Sequence, residues 1–151
     1  MPIHARYAHT NLTARDWRRL ARFYCDVFQC VPKLPERDLV GPWLDDLTAL
    51  SAAHLTGIHL LLPGFPANGP TLELFGYDQM LPGRIPVVNE PGFGHIAFVV
   101  NDVNEALKAV LEAGGGVVGK PASTTVSGVG VLNVVYARDP EGNILELQNW
   151  S

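Results

Sequence analysis

The stretch GHIAFVVNDVNEALKAVLEAGG (94–115) decides the fold. It holds a strand, a cap, a helix and a helix stop in consecutive residues. From His95 to Val100 the side chains alternate, with Ile96, Phe98 and Val100 on one side and His95, Ala97 and Val99 on the other, the period of a half-buried strand. Asp102 follows as a helix N-cap, and Glu105 three residues on completes a capping box. Val103, Ala106, Leu107, Val110 and Leu111 recur at helical spacing and form an apolar stripe. Gly114–Gly116 then supplies a left-handed stop. Strand-like pieces follow at about 117–120, 129–137 and 143–149. The turn DPEGN (139–143) joins the last two as a hairpin. The expected order of this half is βαβββ.

The same pattern occurs earlier, in HTNLTARDWRRLARFYCDVF (9–28). His9 aligns with His95 and Asp16 with Asp102, each pair 86 positions apart (95 − 9 and 102 − 16). Residues 7–14 read as a strand with Tyr7, His9, Asn11 and Thr13 on one face. Asp16 opens a helix whose stripe is Trp17, Leu20, Tyr24, Val27 and Phe28, and Pro32 and Pro35 stop it. Farther on, TLELF (71–75) aligns with ILELQ (144–148), Glu73 on Glu146. The first copy is longer: His to Glu spans 64 residues (73 − 9) against 51 (146 − 95), and the 13 extra fall around 41–54. There GPWLDDLTALSAAH offers Pro42 as a first helical residue, with Trp43, Leu44, Leu47 and Leu50 on one side. It reads as a short helix inserted into, or replacing, one strand. GIHLLLP (57–63) and TLELFGY (71–77) are strands joined by FPANGP. Module one therefore covers about 5–78, a Pro/Gly-rich linker about 78–92, and module two about 93–150, in a single domain of 151 residues.

Strand parity assigns the chemistry. His9, Glu73, His95 and Glu146 each sit on the strand face opposite Leu12, Leu72 and Leu74, Ile96 and Phe98, or Leu145 and Leu147. Each sheet thus has an apolar back for a helix and a front with one ionisable residue per ligand strand. Alone, a strand His or Glu usually has no special role. The recurrence of both at matched places changes that, because carboxylates among buried strands need a partner, and a divalent cation serves two of them. Two neutral imidazoles and two carboxylates suit one divalent transition metal (Zn, Ni, Co, Mn or Fe) better than Ca or Mg.

The bulk composition is compatible with this and excludes other classes. The net charge is −4 with no basic run, so nucleic acid and an anionic membrane are not expected partners. No window reaches the roughly 18 apolar residues of a membrane helix, and Asp16, Arg18, Arg19 and Arg22 interrupt any signal-peptide core. The expected compartment is the cytoplasm. Cys25 and Cys30, five apart, do not share a helix face, so two reduced thiols are expected.

The quoted segments, with ARDPEGNILEL (137–147), resemble the vicinal oxygen chelate superfamily, which holds glyoxalase I, methylmalonyl-CoA epimerase, extradiol dioxygenases and bleomycin-resistance proteins. The resemblance covers nearly the whole chain. It implies an α+β fold of two tandem βαβββ modules forming a U-shaped, barrel-like cup, here with a helix inserted in module one. It implies metal ligands on the first and last strands of each module: His9, Glu73, His95 and Glu146. It also implies that one ligand carboxylate, Glu146 or Glu73, serves as a base toward a carbon next to a carbonyl, with Glu146 preferred. Relatives commonly dimerise to cover exposed sheet edges, so a homodimer acting on a small-molecule substrate is expected.

Four readings follow. The complete His/Glu/His/Glu set favours a glyoxalase-like lyase or isomerase acting by metal-stabilised enolate formation on a substrate with vicinal oxygens, such as a hemithioacetal. A methylmalonyl-CoA-type epimerase would place Gln at Glu73 and need a second acid. An extradiol dioxygenase would use two His and one Glu. A non-catalytic binding or resistance protein would lack the ligand set. Phe75, Trp43, Asn11 and Tyr136 are the candidate substrate contacts, and Tyr77 is a further candidate wall. His59 could face the same cavity, but a histidine without a role is the preferred reading there. His4 and His54 read as terminus and loop.

Overall fold

The structure is a computed structural model describing residues Met1–Ser151. The chain divides into two compact units, Met1–Pro82 and Gly83–Ser151.

The first unit runs β1 (His9–Thr13), α1 (Trp17–Phe28), β2 (Val31–Val40), α2 (Pro42–Thr48), β3 (His54–Leu61) and β4 (Thr71–Tyr77). Its sheet has the order β1-β4-β3-β2, with β1 parallel to β4 and the other pairs antiparallel. Asp16 caps α1 by accepting from the Arg19 N–H at 3.0 Å. The helix buries Trp17, Leu20, Phe23, Tyr24 and Phe28. It packs on β3 and β4, and the Trp17 indole N–H donates to Thr56 Oγ1 at 2.9 Å. Ile58, Leu60, Leu72 and Leu74 are buried as well, and by parity they lie on the same face as Thr56.

The segment 31–40, to which the sequence reading assigns only the helix stop at Pro32 and Pro35, is strand β2. Proline is tolerated there because β2 is the edge of its sheet, where a missing N–H costs no ladder bond. The added helix α2 lies between β2 and β3 and replaces no strand. Gly41 turns into it with φ +123. Its Leu44 packs with Ala53 and Leu55, against Leu39, Phe75 and Tyr77. Leu55 and Phe75 share strand parity with His59 and Glu73, so α2 covers one end of the ionisable face.

The second unit runs β5 (Ile96–Val99), α3 (Val103–Glu112), β6 (Gly116–Val117), β7 (Ala122–Val126), β8 (Gly130–Arg138) and β9 (Ile144–Trp150). The order is β5-β9-β8-β6, and β7 also pairs with β8. Asp102 accepts from the Glu105 N–H at 2.9 Å, as a capping aspartate should. Gly114 takes φ +89 just beyond the helix. The piece expected at 117–120 is shorter, and 122–126 was not anticipated. Pro121, which has no N–H to donate, stands between the two pieces. Both β6 and β7 pair with β8, one at each end of it, so together they fill the role of a single strand. In the 139–143 turn, buried Asp139 accepts from the N–H groups of Glu141 and Asn143 at 2.9 and 3.0 Å.

Cys25 and Cys30 are free thiols, and burial pushes the Cys30 thiol up to about 12. No helix is long and apolar enough to cross a membrane.

Candidate metal centre

Strand register places the module-one cluster. Antiparallel pairing sets His59 on β3 opposite Glu73 on β4, and parallel pairing sets Asn11 on β1 beside Glu73. Register partners share a face, so these side chains project together, with His9 one step along β1. Glu73 is buried, at 8% exposure. Its Oε1 lies 3.3 Å from His9 Nε2 and accepts from Asn11 Nδ2 at 3.0 Å. Its Oε2 lies 2.8 Å from His59 Nε2. Donor atoms of His9, His59 and Glu73 all fall within 4.8 Å of one another.

His59 is held on its other side by Thr71 Oγ1, 2.7 Å from Nδ1. A hydroxyl can donate or accept, so it supports the imidazole in either tautomer. The His9 ring stands edge-on to His59, centroids 5.4 Å apart, and Phe75 stands edge-on from another side at 6.3 Å. Burial holds the His59 pKa below its ordinary value. The Glu73 charge opposes that shift, while Arg37, His9 and Lys33 reinforce it. The neutral ring is the form that ligates metal.

Module two repeats the His–Glu pair. His95 Nε2 is 2.8 Å from Glu146 Oε2. Gln148 Nε2 donates to Glu146 Oε1 at 3.1 Å, and the Tyr136 ring lies 5.0 Å from that of His95. Tyr136 is the register partner of Glu146 on β8, as His59 is of Glu73.

The structure therefore brings His9 together with Glu73, and His95 together with Glu146. Asn11 becomes a carboxylate holder, tied in turn to the Thr13 hydroxyl at 3.0 Å. Phe75 stands beside His59 and Tyr136 beside His95. Trp43 is half-exposed on α2, and its indole N–H donates to the Val40 carbonyl at 3.2 Å. His59 is the residue that reading the sequence undervalued. The signal was there in the hairpin: once GIHLLLP pairs with TLELFGY, position 59 falls opposite 73, as 136 falls opposite 146.

His54 also departs from expectation. It is the first residue of β3 and no loop, and it sits between two carboxylates, Nδ1 2.7 Å from Asp78 Oδ2 and Nε2 2.7 Å from Asp38 Oδ1. Its hydrogen bond to Asp38, then that to Asp78, raises its pKa above the ordinary 6.5. A raised folded-state pKa means the clamp's contribution is fully present below the unfolded value and is lost as pH rises through the folded one. Urea denaturation at stepped pH should show wild type losing stability relative to His54→Gln as pH climbs above 6.5. The effect will be small because the clamp is exposed. Parallel pH profiles for the two proteins would contradict it.

A family model for the Glyoxalase/Bleomycin resistance protein/Dioxygenase superfamily matches residues 6–147. No functionally curated protein matches the sequence significantly. Among solved structures, a glyoxalase family protein from Bacillus cereus superposes with TM-score 0.80 at 17% identity, covering 97% of this chain and 95% of that one. A glyoxalase I mutant from Zea mays gives TM-score 0.65 at 25% identity, over 95% of this chain and 44% of that one. The fosfomycin resistance protein FosX from Mesorhizobium loti gives 0.58 at 16%, over 99% and 94%.

Proposed function

This chain belongs to the Glyoxalase/Bleomycin resistance protein/Dioxygenase superfamily, and we propose that it is a metal-dependent enzyme of that superfamily, a glyoxalase-like lyase or isomerase. The observation that carries the reading is the buried Glu73 carboxylate, whose two oxygens are approached by the imidazoles of His9 and His59. Two neutral nitrogens and a carboxylate fit a divalent transition ion, Zn, Ni, Co, Mn or Fe. In the first unit the proposed ligands are His9, Glu73 and His59; in the second unit His95 and Glu146 are proposed as ligands by their matched places in the repeat. Bound there, the ion supplies Lewis acidity toward a substrate oxygen.

The remaining steps belong to the side chains. Glu146 is the proposed base, taking a proton from a carbon next to a carbonyl. Each oxygen of Glu146 has one protein partner, His95 on Oε2 and Gln148 on Oε1, whereas Glu73 is held by three, His9 and Asn11 on Oε1 and His59 on Oε2. Gln148 orients that carboxylate and is itself anchored, its Oε1 accepting from the Trp150 indole at 2.5 Å. Phe75 and Tyr136 supply apolar walls, Asn11 fixes Glu73, and Trp43 marks the helix that borders the ionisable face. A small-molecule substrate, a homodimer and a cytoplasmic location complete the reading.

Metal-stripped protein resupplied with Ni, Co or Zn should turn over a hemithioacetal and exchange solvent deuterium at the carbon next to the carbonyl. Failure to turn over or exchange with every divalent ion would contradict the proposal. One observation favours a second reading. His9, His59 and Glu73 alone make a two-His, one-carboxylate set, the donor type of oxygen-activating Fe(II) sites. Oxygen uptake with Fe(II) and a catechol, without the deuterium exchange, would select that reading.

A further inference from the structure

We propose that a cavity beside the module-one cluster is a subsite for a small, multiply charged oxyanion, so that the substrate carries a phosphate or phosphonate group. The cavity has a volume of about 210 Å³ and is lined by Arg6, Lys33 and Arg37 together with His9, His59 and Thr71. It contains the cluster's two histidines, so what binds there lies against the same side chains.

Three observations point to an anion. First, the charge is concentrated. The chain is acidic as a whole, net −4, yet three of its cations line one cavity with no carboxylate residue on the wall. Second, these cations are uncompensated. Arg18 and Arg84 are ion-paired with Glu36 and Glu90, whereas Arg6, Lys33 and Arg37 form no ion pair, and the one hydrogen bond Arg37 makes is to the Pro35 carbonyl at 2.6 Å. Third, β2 is bent to put two of them there. Lys33 pairs with His59 and Arg37 with Gly57, so four steps on β2 oppose two on β3. The irregularity over Leu34–Glu36 takes up the extra residues and returns both cations to the face of His59.

The size of the cavity sets the class of ligand. Pockets for drug-sized ligands run to roughly 300–1,000 Å³, so this one takes a headgroup and no more. A planar guanidinium fork and an ammonium suit a tetrahedral dianion, which can accept from several directions at once. A monocarboxylate would leave most of the positive charge unmatched.

The inference deepens the metal-enzyme reading and rests on it for the identity of the cavity as a substrate site, but the two fail separately. Inorganic phosphate, methylphosphonate and acetate are titrated calorimetrically into whole protein, metal-stripped and metal-loaded, and metal content is measured in parallel. Phosphate and methylphosphonate should bind, with acetate at least about tenfold weaker, each tenfold being 1.4 kcal/mol. Lys33→Ala and Arg37→Ala should each weaken phosphate binding about tenfold while retaining wild-type metal content. Lys33→Glu should abolish it, and Arg18→Ala, outside the cavity, should bind as wild type. No phosphate binding, equal binding by the Lys33 and Arg37 variants, or acetate binding as tightly as phosphate would overturn the subsite. Phosphate binding that depends on Lys33 and Arg37 in a protein that takes up no metal would leave the anion subsite standing and sink the metal reading.

Discussion

Glu73→Ala will reduce metal-dependent turnover by more than about 100-fold. Even side chains that only support a metal ligand cost about 10–100-fold when removed, and Glu73 is the group on which the module-one cluster converges. The variant should still fold, at a cost of about 1–3 kcal/mol. The cost arises because His59 Nε2 and Asn11 Nδ2 lose their shared acceptor in a part-buried setting. His9 is more exposed and recovers water. Added metal should raise the urea midpoint of wild type and leave that of the variant unmoved, since a ligand stabilises only the state that binds it. Glu73→Gln separates charge from packing: it should keep most of the metal-free stability and lose most of the turnover. Full turnover by Glu73→Ala would contradict the assignment.

Gly57→Ala will lower stability by about 3 kcal/mol, the upper end of ordinary overpacking. A Cβ there would lie 2.1 Å from the Leu74 carbonyl oxygen and 2.4 Å from Phe75 Cδ1. The first obstacle is backbone in the centre of the sheet and cannot swing away. The second is the ring that stands edge-on to His59 and also packs against the α2 core. Relief by moving Phe75 would therefore disturb the site and the inserted helix together. Urea denaturation of metal-stripped protein reads the stability loss, and metal titration should show weaker binding. An unchanged midpoint would mean that β3 and β4 are not packed as described.

Much of the fold was legible because its signals are local. The Asp16 and Asp102 caps, the apolar stripe after each, and the Asp139–Asn143 turn need only neighbouring residues. The misses are places where the deciding partner is distant. Pro32 and Pro35 argue against a strand until β2 is known to be an edge. The 116–126 region needed β8 to show that two short pieces make one strand. The same holds at the site. His9, Glu73, His95 and Glu146 stood out because the chain repeats them. His59 has Tyr136 at the equivalent place in the second module, so repetition concealed it, and only the register of the β3–β4 hairpin puts it on Glu73. His54 looked like a loop residue for the same reason: Asp38 and Asp78 reach it from separate segments.

The carboxylate and imidazoles gathered in module one are proposed to hold a metal ion. The direct measurement is elemental analysis of purified wild type, His9→Ala and His59→Ala after equilibration with one divalent ion and removal of the excess. Wild type should retain a stoichiometric ion, and each variant should lose most of it. Equal metal content in all three proteins, or no metal in any, would contradict the metal centre.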